Sequence, residues 1–178
     1  MKLKKISSLL IVVGTLLVFV TGCEVGINPL LFDGAPVVAT WEFDQSGTSY
    51  TGSTIKDLVE ILKDIKNSAD SVKVFNITIQ VENTGSTPAG TTVSGTATFN
   101  STTVITLSGI SLDSLAAERS IFLPLTGLSS NPAGVTELAT AILHPTGTVT
   151  FGVSGTTSWS PLQIRITLRL YTQVYTHP

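Results

Sequence analysis

Cysteine is almost absent, with Cys23 the only one in 178 residues. A lone thiol excludes an internal disulfide framework, and Cys23, His144 and His177 are too few ligands for a cysteine-based zinc site. Charge is scarce too, at 12% of residues. The arginines are Arg119, Arg165 and Arg169 alone, which leaves no basic stripe to hold phosphates and makes nucleic acid an unexpected partner. Groups that exchange protons or attack substrates are correspondingly thin. No Gly-x-Ser-x-Gly elbow follows a strand pattern, and Gly152-Val153-Ser154-Gly155 lacks its spacing. No glycine-rich loop carries the lysine of a phosphate cradle, and no histidine pair has metal-ligand spacing. His144, just before Pro145, suits the negative end of a helix, and His177 lies next to the C-terminus. The expectation is a protein that is not an enzyme and holds no cofactor or metal.

Long apolar runs are also missing, with one exception. Residues 6–22 form an apolar stretch that is short for a spanning helix, which needs about 20 residues to cross roughly 30 Å of hydrocarbon. Lys2, Lys4 and Lys5 precede it, and Thr21 and Gly22 supply a small-residue site before Cys23, which is the layout of an export signal. An uncleaved N-terminal anchor is the alternative. Removal of the segment moves the formal charge from −2 to −5, because three of the 10 basic residues leave and none of the 12 acidic ones does.

Val20-Thr21-Gly22-Cys23 resembles the lipobox of bacterial lipoproteins: an aliphatic residue, a small residue, Gly or Ala, then Cys. Val stands where Leu is commoner, and Thr where Ser or Ala is. The resemblance implies cleavage between Gly22 and Cys23, a diacylglyceryl group on the Cys23 thiol and acylation of the new amino group. Each buried methylene adds about 0.8 kcal/mol, so two or three chains anchor stably where one is marginal. Glu24, in place of the Asp that retains enterobacterial lipoproteins at the inner membrane, leans toward the outer membrane. Residues 1–22 then read as signal peptide, 23–35 as lipidated cysteine and tether, and 36–178 as one globular domain.

That domain is apolar enough to bury a core, and Ser and Thr make up roughly a quarter of the chain, with Gly and Pro at short intervals, a mixture of short strands and turns. Val37, Ala39, Trp41 and Phe43 alternate with polar residues as a half-buried strand, followed by a Ser/Gly/Thr-rich loop over 45–52. Thr54 and Asp57 fit a capping box, and Ile55, Leu58, Val59, Leu62 and Ile65 recur at helical spacing, predicting a helix over 54–67. Phe75, Ile77, Ile79 and Val81 share one phase of a strand over 72–82. Further strands are expected at 93–99, 104–107, 120–125, 148–153 and 162–174. Asn100-Ser101 is either a hairpin tip or a bend in one long strand. A second, shorter helix spans 133–143, opened by Asn131-Pro132. The expected architecture is mainly β, an antiparallel sandwich, with a sheet covered by helices on one face as the alternative. Ile79-Gln80-Val81-Glu82-Asn83-Thr84-Gly85 is similar to the strand-to-turn signature of bacterial extracellular immunoglobulin-like modules, which implies an immunoglobulin-like sandwich.

Candidate binding residues are Trp159 in a polar loop, and Arg165, Arg169 and Tyr171 on the polar phase of the last strand. Trp41 shares the core phase. Glu42, Asp44 and Asp57 flank the 45–52 segment, where clustered oxygens would suit calcium, although a solvated loop is the simpler expectation. Glu118-Arg119 is expected to pair near Asp113 at the surface. The function expected is that of a non-catalytic, lipid-anchored envelope module with a membrane and an envelope protein or glycan as partners. A glycan- or peptide-binding lipoprotein is the alternative, and a hydrolase with an unrecognised site the weakest reading.

Overall fold

The computed structural model describes residues 30–33, 36–66 and 71–176. The segment read from the sequence as an export signal, Gly22, Cys23 and His177 lie outside the described residues. In chain order the elements are β1 (Leu30–Asp33), β2 (Val37–Gln45), β3 (Ser49–Asp57), α1 (Leu58–Lys66), β4 (Ser71–Asn83), β5 (Thr92–Phe99), β6 (Thr102–Ser111), α2 (Leu112–Leu115), β7 (Arg119–Ser120), β8 (Leu128–Ser130), α3 (Pro132–Leu143), β9 (Thr148–Thr157) and β10 (Leu162–Thr176).

Alternating apolar residues build two antiparallel sheets that pack face to face as a β-sandwich. In one sheet β10 is central: β2 and β1 lie end to end along one of its edges, β4 takes the other, and β7 lies beyond β4. The second sheet runs β3-β9-β5-β6-β8. Leu162, Ile164, Ile166, Leu168 and Leu170 of β10 turn to the core with Val37, Ala39, Trp41 and Phe43 of β2 and Ile77, Ile79 and Val81 of β4. Phe99 and Phe151 meet edge to face at 5.4 Å from the opposite sheet. Asn100 and Ser101, both at positive φ, form the tip of a β5–β6 hairpin rather than a bend in one strand. The helix opened by Asn131-Pro132 is present as α3, its N-cap Asn131 accepting from the Ala133 N–H at 3.0 Å and His144 standing at its C-cap.

Several expectations are corrected. Residues 54–57 are not helical: they continue β3, with Thr54 opposite Phe151 and Asp57 opposite Thr148 of β9, so the helix starts at Leu58. Asp57 is itself the cap, its Oδ1 accepting from the Val59 and Glu60 N–H groups at 2.9 and 3.1 Å. Ile55 therefore leaves the helical stripe and is 68% exposed, while Leu58 and Leu62 are buried. The polar 45–52 segment is only in part a loop, because Ser49–Asp57 pairs with β9 along its whole length. Gly52 explains part of that composition, since a Cβ there would come within 2.9 Å of Trp41 and 3.2 Å of Phe43. The strand expected over 120–125 shrinks to Arg119–Ser120, after which the chain turns and buries Ile121. Leu30–Asp33, counted with the tether from the sequence, pairs with residues 173–176 of β10.

Phe75 carries the correction that matters most for function. Tyr171 of β10 stands opposite Asn76 and Thr172 opposite Val74, so Phe75 is an extra residue in β4, a β-bulge. The bulge breaks the alternation that would send Phe75 inward with Ile77, and the ring is 41% exposed on the outer face.

Candidate functional site

The outer face of the β10 sheet carries cross-strand rows of polar residues. Asp44 accepts from Gln163 at 3.2 Å, and Arg165 lies between Glu42 at 2.6 Å and Glu82 at 3.6 Å. The hydrogen bond and charge of Glu42 raise the Arg165 pKa further above its usual value. Arg165 is thus already satisfied by two carboxylates. Arg169 follows on the same face, donating to Gln80 Oε1 at 3.0 Å and lying 3.5 Å from Glu118 Oε2.

Tyr171 comes next, and there the face becomes a groove. Its hydroxyl donates to Glu118 Oε1 at 2.6 Å, and the Thr78 hydroxyl donates to the same oxygen at 2.5 Å. Partial burial pushes the Glu118 carboxyl up, but these two hydrogen bonds and the charge of Arg169 outweigh it and hold the group below the ordinary carboxylate range. The bond to Glu118 in turn raises the Tyr171 phenol. Phe75 packs against Tyr171 with ring centroids 6.0 Å apart and planes tilted by 54°. Asn76 accepts from the Ser120 hydroxyl at 2.6 Å, which joins β4 to β7 where Thr78 pairs with Ser120. These groups and Pro36 surround a groove of about 720 Å³, and Leu123, 67% exposed, forms its rim. A recess of about 180 Å³ shares Glu118, Ser120 and Leu123 with it and reaches Pro124 and Leu125.

The arrangement sets one carboxylate, an amide and hydroxyl groups beside a pair of aromatic rings. Glu118 is held ionised and is the groove's one carboxylate, so it has no carboxyl partner with which to divide acid and base roles. Ser120 gives its proton to an amide oxygen, which is not basic enough to activate it as a nucleophile. Among the described residues no group of His, Cys, Asp and Glu could hold a metal ion. Glu42 and Asp44 are committed to Arg165 and Gln163, and Asp57 caps α1 in the other sheet.

Of the residues expected from the sequence, Tyr171 lines the groove, and Arg169 lies beside it through its contact with Glu118. Arg165 lies about 20 Å along the strand from Tyr171, at about 3.3 Å per residue, and Trp159 lies beyond Leu162 at the opposite end of β10. Trp159 is exposed, its carbonyl accepting from the Thr157 hydroxyl at 2.8 Å. Glu118, Phe75, Asn76, Thr78 and Ser120 were not anticipated. Glu118 does not pair near Asp113, and Arg119 donates instead to the Ser114 carbonyl at 2.7 Å.

No protein-family model and no curated protein sequence matches the chain. A solved structure titled Desmodium yellow mottle tymovirus overlaps 80% of this chain and 89% of its own at 10% identity, with a TM-score of 0.31, too low to bear on function.

Proposed function

We propose that the protein is a non-catalytic binding module of a bacterial cell envelope, exported by residues 1–22 and anchored by lipid on Cys23. The observation that carries this reading is the lipobox Val20-Thr21-Gly22-Cys23, placed on the chain's single cysteine directly after an apolar run. A thiolate is the best nucleophile among the side chains for taking up an alkyl group. Among the described residues no helix is long and apolar enough to cross a membrane. From Cys23 to Leu30, where β1 begins, the chain can reach at most about 25 Å, so the acyl chains would hold the sandwich close to the bilayer. Glu24 favours the outer membrane in a bacterium that has one. An exposed groove lined by aromatic and polar side chains, with no activated nucleophile, supports binding over hydrolysis.

Intact mass and detergent partitioning of the protein from its native membrane, beside Cys23→Ser, test the proposal. A mature chain beginning at Cys23 with added acyl mass is expected, and Cys23→Ser should be neither acylated nor processed at Gly22. A full-length unmodified chain would replace this reading with an N-terminal membrane anchor, and a cleaved, unlipidated one with a soluble secreted domain.

A further inference from the structure

We infer that the groove between Phe75, Tyr171 and Glu118 is a saccharide site, taking a neutral sugar ring of a glycan with the ring's apolar face on Phe75. The inference rests on the binding-module reading for the site's purpose, and its chemistry comes from the groove itself. A bulge turns a phenyl ring out of the core and supports it against Tyr171, leaving an aromatic surface on two paired strands. Beside that surface stand one acceptor and one donor with capacity to spare. Glu118 Oε1 is filled by Thr78 and Tyr171, whereas Oε2 has only the 3.5 Å contact with Arg169. Asn76 accepts from Ser120 through Oδ1, and its Nδ2 has no protein partner among the described residues. A carboxylate oxygen and an amide N–H together suit neighbouring hydroxyls on a sugar, each of which both donates and accepts.

Other occupants fit less well. An anionic ligand would meet the ionised Glu118, and the nearest cation, Arg169, is already shared between Gln80 and Glu118. A purely apolar ligand would leave Glu118 and Asn76 desolvated without partners. A peptide strand needs an open sheet edge, but at the groove floor Thr78 is paired on both sides, with Arg169 of β10 and Ser120 of β7. The Ile77 carbonyl next to it is taken by the Ile121 N–H at 3.0 Å. The volume of about 720 Å³ lies inside the roughly 300–1,000 Å³ of small-ligand sites. Glu118 is already fixed by its neighbours, so binding spends little on ordering it.

The test is calorimetric titration of the full chain in detergent micelles. The probes are neutral trisaccharides built from glucose, galactose, mannose or N-acetylglucosamine, the same sugars bearing uronate or phosphate, and an extended neutral pentapeptide. At least one neutral trisaccharide is expected to bind with a Kd of about 1 mM or tighter, and its anionic counterpart more weakly. Phe75→Ala should weaken that binding about five- to tenfold, Phe75→Tyr should keep it, Glu118→Gln should weaken it, and Trp159→Ala at the far end should leave it unchanged. Binding of the pentapeptide alone, no neutral sugar binding at about 10 mM, or affinity indifferent to Phe75→Ala would each overturn the inference. Acylated protein that binds no sugar would overturn the groove alone, and sugar binding by an unacylated wild-type chain would overturn only the anchor.

Discussion

Phe75 and Tyr171 meet ring to ring because β4 carries one residue more than β10 at that point. Two neighbours in sequence then have opposed energetic roles. Phe75 is 41% exposed and Ile77, two residues on, is fully buried. Phe75→Ala should change stability by no more than about 1 kcal/mol, while Ile77→Ala should cost about 2–5 kcal/mol in urea denaturation. Equal losses would mean that Phe75 belongs to the core and that the bulge is absent.

Glu118 gives the groove a signature in acid. Its carboxyl is held below the ordinary value of 4.5 in the folded protein, so folding favours the ionised form. That contribution is present above pH 4.5 and is lost as pH falls through the lower folded value. Melting temperatures measured from pH 6 to about pH 3 should drop below pH 4.5, and Glu118→Gln should remove part of the drop. A variant with the same acid profile as the parent would show that the Thr78 and Tyr171 bonds do not select the charged form.

Tyr50 gives a second signature, in alkali. Burial pushes its phenol up from 10.0 to about 12, and its hydroxyl donates to the Ser94 carbonyl at 3.2 Å. Because the folded pKa is raised, this stability is fully present below pH 10 and is lost as pH rises toward about 12. Phenolate absorbance should show a late step linked to unfolding, apart from the Tyr171 phenol that Glu118 also raises, and Tyr50→Phe should lose that unfolding-linked step.

Gly155 and Gly95 stand opposite each other on β9 and β5 beneath the Tyr50 hydroxyl. A Cβ at Gly155 would sit 2.5 Å from that hydroxyl and would also collide with the Ser94 carbonyl. Gly155→Ala should therefore destabilise the protein by about 1–3 kcal/mol in thermal or urea unfolding. Gly47→Ala is a comparison without crowding, since no atom lies within 4 Å, so its cost reflects only the positive φ of 117°.

Much of the sandwich is legible in the alternation of β2, β4, β5 and β10, where one phase is apolar and buried. The β3 strand is hidden because its core-face positions include Gly52 and polar residues, leaving Tyr50 as its single large buried side chain. Local chemistry also misplaced the start of α1: Thr54 and Asp57 look like a capping box, yet pairing with β9 holds 54–57 extended until Asp57 caps from the strand end. Alternation did identify the face that Arg169 and Tyr171 share. It cannot say which end of a 15-residue strand holds a groove, nor that Arg165 is taken up by carboxylates from both neighbouring strands. Glu118 was illegible because long-range pairing of Ser120 with Thr78 brings it to Tyr171. Phe75 was misread because a single added residue reverses the phase.

The end-to-end placement of β1 and β2 along β10 has a mechanical meaning. Leu30 pairs with Thr176, and the chain then runs back along β10 through four registered pairs in β1 and nine in β2. Antiparallel hydrogen bonds lie perpendicular to the strands. Tension entering at Leu30 and directed away from the sandwich would therefore shear these bonds together rather than peel them apart one by one. A load applied instead across the edge of β1, from the side, would open it pair by pair.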